Sequence, residues 1–203
     1  MAPPKFLAMP AEPAYVPAMP APPPATTLPI TAEQLLAIHI PGKQVELVRG
    51  WLVVKEPPGY RHGDVTARLA FELMQYARAR DLGQILVGDP GFKLSANPDT
   101  VRGPDIAFVQ RSRVPDPLPR TFADFPPDLA VEVLSPHDRP GEILAKVGDW
   151  LEGGTRLVWV VDPERRLARV YRHDGTESTL RETESLSGED VLPGFACKIA
   201  SIL

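Results

Sequence analysis

The run Asp128-Leu129-Ala130-Val131-Glu132-Val133-Leu134-Ser135 decides the fold of this chain. Apart from Glu132 both of its faces are apolar, the pattern of a central strand covered on two sides. An ionised carboxylate in the middle of such a strand cannot be left alone: it must bind a cation, pair with a base or take up a proton. Downstream, Asp138, Pro140 and Glu142 start a helix in which Leu144, Val147, Trp150 and Leu151 recur at helical spacing until Gly153 and Gly154 stop it. A second apolar run, LVWVVD at 157–162, comes next. Strand, helix and strand in this order are long enough for a right-handed crossover, which predicts that the two strands lie parallel in one sheet.

Outward from this unit, IAFV at 106–109, FKL at 92–94 and ILV at 85–87 are short apolar runs separated by Gly, Pro, Asn or Asp, and read as strands. Before them, Val65, Leu69, Leu73 and Tyr76 mark an amphipathic helix from about His62 to Ala79, with Gly83 closing it. Residues 45–55 read as a hairpin, VELV and WLVV around a turn at Arg49 and Gly50. Thr31 and Gln34 match a capping box and predict a short opening helix. After Asp162, turns at Pro163-Glu164 and at 173–175 flank a further strand, 167–171, in an antiparallel meander. The fold class is α/β, bordering on α+β, with a mixed sheet packed against helices and no internal repeat.

The chain has 203 residues, 43% hydrophobic and 24% charged, in the range of a single globular domain. Proline is the outlier: of 25, ten fall in the first 29 positions. Residues 1–29 are therefore expected to be an extended Ala/Pro-rich tail and 30–203 the folded domain. Low complexity suits a plain spacer; PAEP at 10–13 and PAMP at 17–20 also suit a polyproline ligand for a partner. The tail's only charges, Lys5 and Glu12, cancel, so the domain carries the whole formal charge of -4. Bulk charge gives no support for nucleic-acid binding, and any such surface must be a local basic patch. A single cysteine, Cys197, excludes an internal disulfide. No apolar stretch is long enough for a membrane span or a signal peptide, so a cytoplasmic protein is expected.

Asp105 follows Pro104 at the start of IAFV and lies 27 positions before Glu132. Two hard carboxylate ligands converging at strand ends suit Mg²⁺ or Mn²⁺. Glu46 lies in the first hairpin strand, where as an edge residue it could also face water. His62 opens the long helix, where an imidazole could meet a phosphate at the positive end of the dipole or simply cap the helix. Lys146 has the spacing of a solvated helix pair with Glu142 and Asp149. Lys93, Arg102, Arg111, Arg113 and Arg120 form a modest basic rim that could contact phosphates. Trp51, Trp150 and Trp159 lie in periodic apolar segments and read as core or dimer-interface residues.

The segments ELVRGWLVV (46–54), PPGYRHGDVTARL (57–69), RGPDIAFV (102–109), PPDLAVEVLSPHDR (126–139), AKVGDWLEGG (145–154), LVWVVDPERR (157–166) and VLPGF (191–195) resemble, in order and texture, the Uma-two family of restriction endonuclease-like proteins. The resemblance covers nearly the whole chain after the tail, and places it in the PD-(D/E)XK nuclease superfamily. It implies a restriction-endonuclease-like sheet flanked by helices, and an Mg²⁺-dependent endonuclease that acts on DNA, with a homodimer as the simplest assembly. Asp105 and Glu132 would ligate the metal with help from the Val133 carbonyl, and Glu46 would approach it. The position two after Glu132 is Leu134 rather than lysine. The resemblance moves that role to Lys146, which would orient or deprotonate the attacking water. The competing expectation is a catalytically inactive nucleic-acid or protein interaction module that keeps the fold.

Overall fold

The computed structural model describes residues 28–203. The tail expected over 1–29 lies outside the described residues except for Leu28 and Pro29. Pro29 packs on the Gly50 turn, where a Cβ on Gly50 would come within 2.4 Å of the proline Cβ, and the Ile30 N–H bonds the Gly50 carbonyl at 2.8 Å. Arg49 and Gly50 both take positive φ, 51° and 81°. A two-residue hairpin turn of this hand matches strand twist, which explains why Gly stands there.

The elements are α1 (Ala32–Leu36), β1 (Gln44–Val48), β2 (Trp51–Lys55), α2 (Tyr60–Ala79), β3 (Gly83–Val87), β4 (Phe92–Ser95), β5 (Thr100–Arg102), β6 (Ile106–Gln110), a short 3-10 turn (Arg111–Arg113), β7 (Leu129–Val133), α3 (Pro140–Glu152), β8 (Leu157–Asp162), β9 (Leu167–Arg172), β10 (Glu177–Arg181), β11 (Ser185–Ser187), β12 (Ala196–Lys198) and α4 (Ile199–Ile202). Six strands form the main sheet in the order β10-β9-β8-β7-β6-β3. Only β7 and β8 pair in parallel, joined by the crossover helix α3, as the run from 128 to 162 predicts. The hairpin β1-β2 does not extend this sheet. It joins β4 and β5 in a second, four-stranded sheet of order β2-β1-β5-β4, and β11 pairs with β12 alone.

Alternation along the strands sorts the core into two layers. Ile106, Phe108, Leu129, Val131, Val133, Leu157, Trp159 and Val161 face α2, whose Val65, Leu69, Leu73 and Ala77 cover them. The intervening residues Ala107, Val109, Ala130, Val158 and Val160 face α3 through Val147 and Trp150. Glu132 has the parity of Ala130, and Asp105 that of Ala107 and Val109, so both carboxylates fall on the α3 face. On the smaller sheet, Leu47 and Val101 pack against Ala32 and Leu35 of α1, which leaves Glu46 and Arg102 on the opposite side. No helix among the described residues is long and apolar enough to cross a membrane.

Candidate active site

Lys146 and Trp150 stand one turn apart on α3 and therefore on one face. Both reach Glu132: Lys146 Nζ donates to Oε2 at 2.8 Å and Trp150 Nε1 to Oε1 at 2.8 Å. Lys146 also donates to the Gly103 carbonyl at 2.8 Å and lies 3.1 Å from Glu46 Oε1. Of its three donors two are hydrogen-bonded, and the contact with Glu46 is an ion pair. The solvated helix pair is not formed, because Lys146 is only 5% exposed, Glu142 pairs with Arg139, and Asp149 with Arg102.

Glu46 is not at an edge. β1 lies between β2 and β5, and the register Leu47↔Val101 sets Glu46 level with Arg102. Arg102 Nη1 donates to Glu46 Oε2 at 2.7 Å, while its Nε and Nη2 hold Asp149 Oδ2 at 2.8 and 2.5 Å. Lys55 Nζ lies 3.1 Å from the same Oε2, and the Gly103 N–H donates to Oε1 at 3.2 Å. Gly103 thus serves Glu46 through its amide and Lys146 through its carbonyl. A Cβ there would meet the Asp89 carbonyl oxygen at 2.8 Å, so the close approach of the two strand ends needs glycine.

The register Ile106↔Val131, extended one step, sets Asp105 beside Glu132 and Pro104 beside Val133. Asp105 Oδ2 accepts from the Val133 N–H at 2.6 Å, and Oδ1 lies 3.1 Å from His62 Nε2. Pro104 has no N–H with which to occupy the Val133 carbonyl. His62 does not cap its helix: Gly59 is the N-cap, and His62 turns inward from the first turn of α2.

The charges do not balance evenly. Burial, followed by the neighbouring Asp105 and Glu46 carboxylates, pushes Glu132 up to about 7, and the opposing effect of Lys146 does not cancel this. For Lys146 burial acts downward, but Glu132 and Glu46 outweigh it and hold the ammonium well above its usual range. Lys146 is held as a donor to Glu132 and to the Gly103 carbonyl. Burial raises Glu46 too, yet Lys146, Lys55 and Arg102 together bring it well below the carboxylate range. Burial lowers His62, but its bond to Asp105 and the charges of Asp105, Asp89 and Asp138 together outweigh this and raise it. Asp89, half-buried nearby, is raised by burial and by Asp105, and is bonded by the Gln44 amide.

All five expected site residues, Glu46, His62, Asp105, Glu132 and Lys146, thus belong to one connected cluster, with the backbone of Val133 bonded to Asp105. Lys55, Asp89, Arg102 and Trp150 join it without having been singled out for it. The basic rim is largely used internally: Lys93 pairs with Asp99, Arg102 with Glu46 and Asp149, Arg111 with Asp81 and Arg113 with Asp128. Trp150 and Trp159 are core, whereas Trp51 is 52% exposed. Among the described residues, no three His, Cys, Asp or Glu side chains stand together as a ready cation cage. The donors that do converge are Asp105 and Glu132 with the Val133 backbone. Two hard carboxylates with a backbone carbonyl have the oxygen chemistry that fits Mg²⁺ or Mn²⁺, which this set could hold.

The mixed sheet and its clustered Asp, Glu and Lys define a restriction-endonuclease-like domain. The chain belongs to the Uma2 family, whose model, described as "Putative restriction endonuclease", matches residues 32–200. Among solved structures it is similar to a putative nuclease belonging to DUF820 from Anabaena variabilis ATCC 29413, with a TM-score of 0.76 and 18% identity over 86% of this chain and 97% of that one. At that identity the likeness establishes a shared fold. No curated protein matches the chain.

Proposed function

We propose that the protein is a divalent-cation-dependent endonuclease that hydrolyses phosphodiester bonds of DNA. Membership of a family described as restriction endonucleases supports a nuclease. The observation that carries the finer reading is the bond of 2.6 Å from the Val133 N–H to Asp105 Oδ2, which brings Asp105 next to Glu132 at one end of the β6-β7 pair, with Lys146 bonded to Glu132. Asp105, Glu132 and the Val133 carbonyl would hold Mg²⁺ or Mn²⁺, which when bound lowers the pKa of water and offsets charge on phosphate oxygens.

The chain's own residues supply position. Lys146 and Trp150 fix the two oxygens of Glu132, while His62 and the Val133 amide fix those of Asp105. Neither carboxylate is then free to rotate as substrate enters, and pre-set geometry of this kind is a large part of phosphoryl-transfer catalysis. In the reaction a water oxygen adds to phosphorus, the bond to the leaving oxygen breaks in line, and the proton passes to solvent or to the leaving oxygen.

Plasmid or single-stranded DNA incubated with Mg²⁺ or Mn²⁺ tests the proposal. Nicking by the wild type that is lost in Asp105→Ala and Glu132→Ala supports it. Intact DNA, together with calorimetry in which Mn²⁺ finds no site sensitive to those substitutions, returns the chain to the alternative of an inactive interaction module.

A further inference from the structure

We propose that Lys55, on β2, is the side chain that contacts a phosphate of the substrate backbone; this rests on the nuclease reading above. Of the cations gathered at the site, Lys146 donates to the Gly103 carbonyl and to Glu132, pairs with Glu46 and is 5% exposed, and Arg102 spends Nε, Nη1 and Nη2 on Asp149 and Glu46. His62 gives Nε2 to Asp105, and its Nδ1 is buried. Lys55 differs from all of them. Its side chain is 36% exposed and, among the described residues, its one ion-pair partner is Glu46 Oε2 at 3.1 Å. Glu46 also has Arg102 and Lys146 as partners, 2.7 and 3.1 Å from its carboxylate, so Lys55 is not its sole counter-ion.

The hairpin aims Lys55 at the site. The pairs Gln44↔Lys55 and Glu46↔Val53 put Gln44, Glu46 and Lys55 on one face, so the turn at Arg49 and Gly50 fixes where the ammonium emerges. It lines a cavity of about 50 Å³ shared with Gln44, Glu46, Asp89, Arg102 and Gly103. The space is small and suits a water or a phosphate oxygen, so the contact is assigned to the backbone, where it strengthens binding without selecting sequence.

The test measures binding of a short labelled duplex by fluorescence anisotropy across a salt series, alongside cleavage with Mg²⁺. Lys55→Ala should weaken binding about tenfold and reduce the slope of log Kd against log salt by about 0.9, the value for one phosphate contact. Lys55→Arg should stay within about threefold of wild type, because it keeps the charge. Lys55→Met, which keeps the stem over the cavity, should show the same loss should alanine unsettle the hairpin. Wild-type affinity, slope and KM in both neutral variants would overturn the contact and leave Lys55 as a counter-ion of Glu46, with the nuclease reading standing. A wild-type protein that neither binds nor cuts DNA would overturn both.

Discussion

Each end of β7 carries a buried acid with a basic partner, and the two differ in kind. At the start of the strand Asp128, 1% exposed, accepts from the Gln110 backbone N–H at 2.8 Å and from Arg113 Nη1 at 2.7 Å, and so ties the 3-10 turn to the sheet. At the end, Glu132 has Lys146 and Trp150 as donors but shares Lys146 with Glu46 and faces Asp105. Burial alone does not mark a functional acid. Asp128 has a base and an amide of its own, whereas around Glu132 carboxylates compete for the same donors. On the proposed function a cation would complete the second arrangement and would have nothing to add to the first.

The strongest way to break this comparison is activity. Glu132→Gln should lower cleavage at least about a thousandfold, on the scale of losing a metal-centred catalytic group. It should also cost about 1 to 3 kcal/mol in urea unfolding, because the amide nitrogen can accept from neither Lys146 nor Trp150. Asp128→Ala should act on stability alone, costing about 2 to 3 kcal/mol by orphaning the Gln110 backbone N–H, with kcat retained at a temperature where the variant is folded. A Glu132→Gln protein of wild-type activity would remove the distinction.

Lys146→Met comes next. It leaves Glu132 and Glu46 buried without their shared ammonium and should cost about 3 to 5 kcal/mol, read in urea unfolding. His62→Ala keeps Asp105 but frees its Oδ1, and should lower cleavage about 10- to 100-fold, as loss of a group that orients a ligand does. Its unfolding midpoint should move little.

The smallest effect sharpens the electrostatic side. The folded pKa of Glu132, about 7, lies above its ordinary 4.5. This group's contribution therefore favours the folded chain below pH 4.5 and is lost as pH rises through 7. A cation must displace that proton, so Mg²⁺ should raise the melting temperature more at pH 8 than at pH 6. Roughly tenfold weaker apparent binding at pH 6 corresponds to about 1.4 kcal/mol, or about 2 to 4 °C in a domain of this size. Equal shifts at the two pH values would place the cation away from Glu132.

Much of the site was legible because two of its anchors break local patterns. Glu132 interrupts an apolar run, and Asp105 follows a proline at a strand mouth. The main sheet was legible through β-rich runs punctuated by turn residues, and the parallel β7-β8 pair through its crossover length. β5 escaped notice because its three residues, Thr100–Arg102, have no periodicity of their own and hold their place only between β1 and β4. β11, β12 and α4 are likewise too short to carry a pattern. Arg102 looked like a surface base, since nothing local distinguishes a guanidinium facing DNA from one buried between Glu46 and Asp149. Lys55 gave no sign either, because an alternating strand end with a lysine is the ordinary pattern of an edge.

The sequence by itself determined the class of fold, the family and the two carboxylates at its centre, because these rest on hydrophobic period, turn residues and motif order, all local along the chain. Only the tertiary structure decided which charges meet. It placed Glu46 in an interior strand, spent Lys146 and Arg102 on buried carboxylates, turned His62 onto Asp105 and left Lys55 facing outward. The reason is that pairing of charges depends on register between the two sheets and on which face of α3 is covered, and neither is written in any single segment.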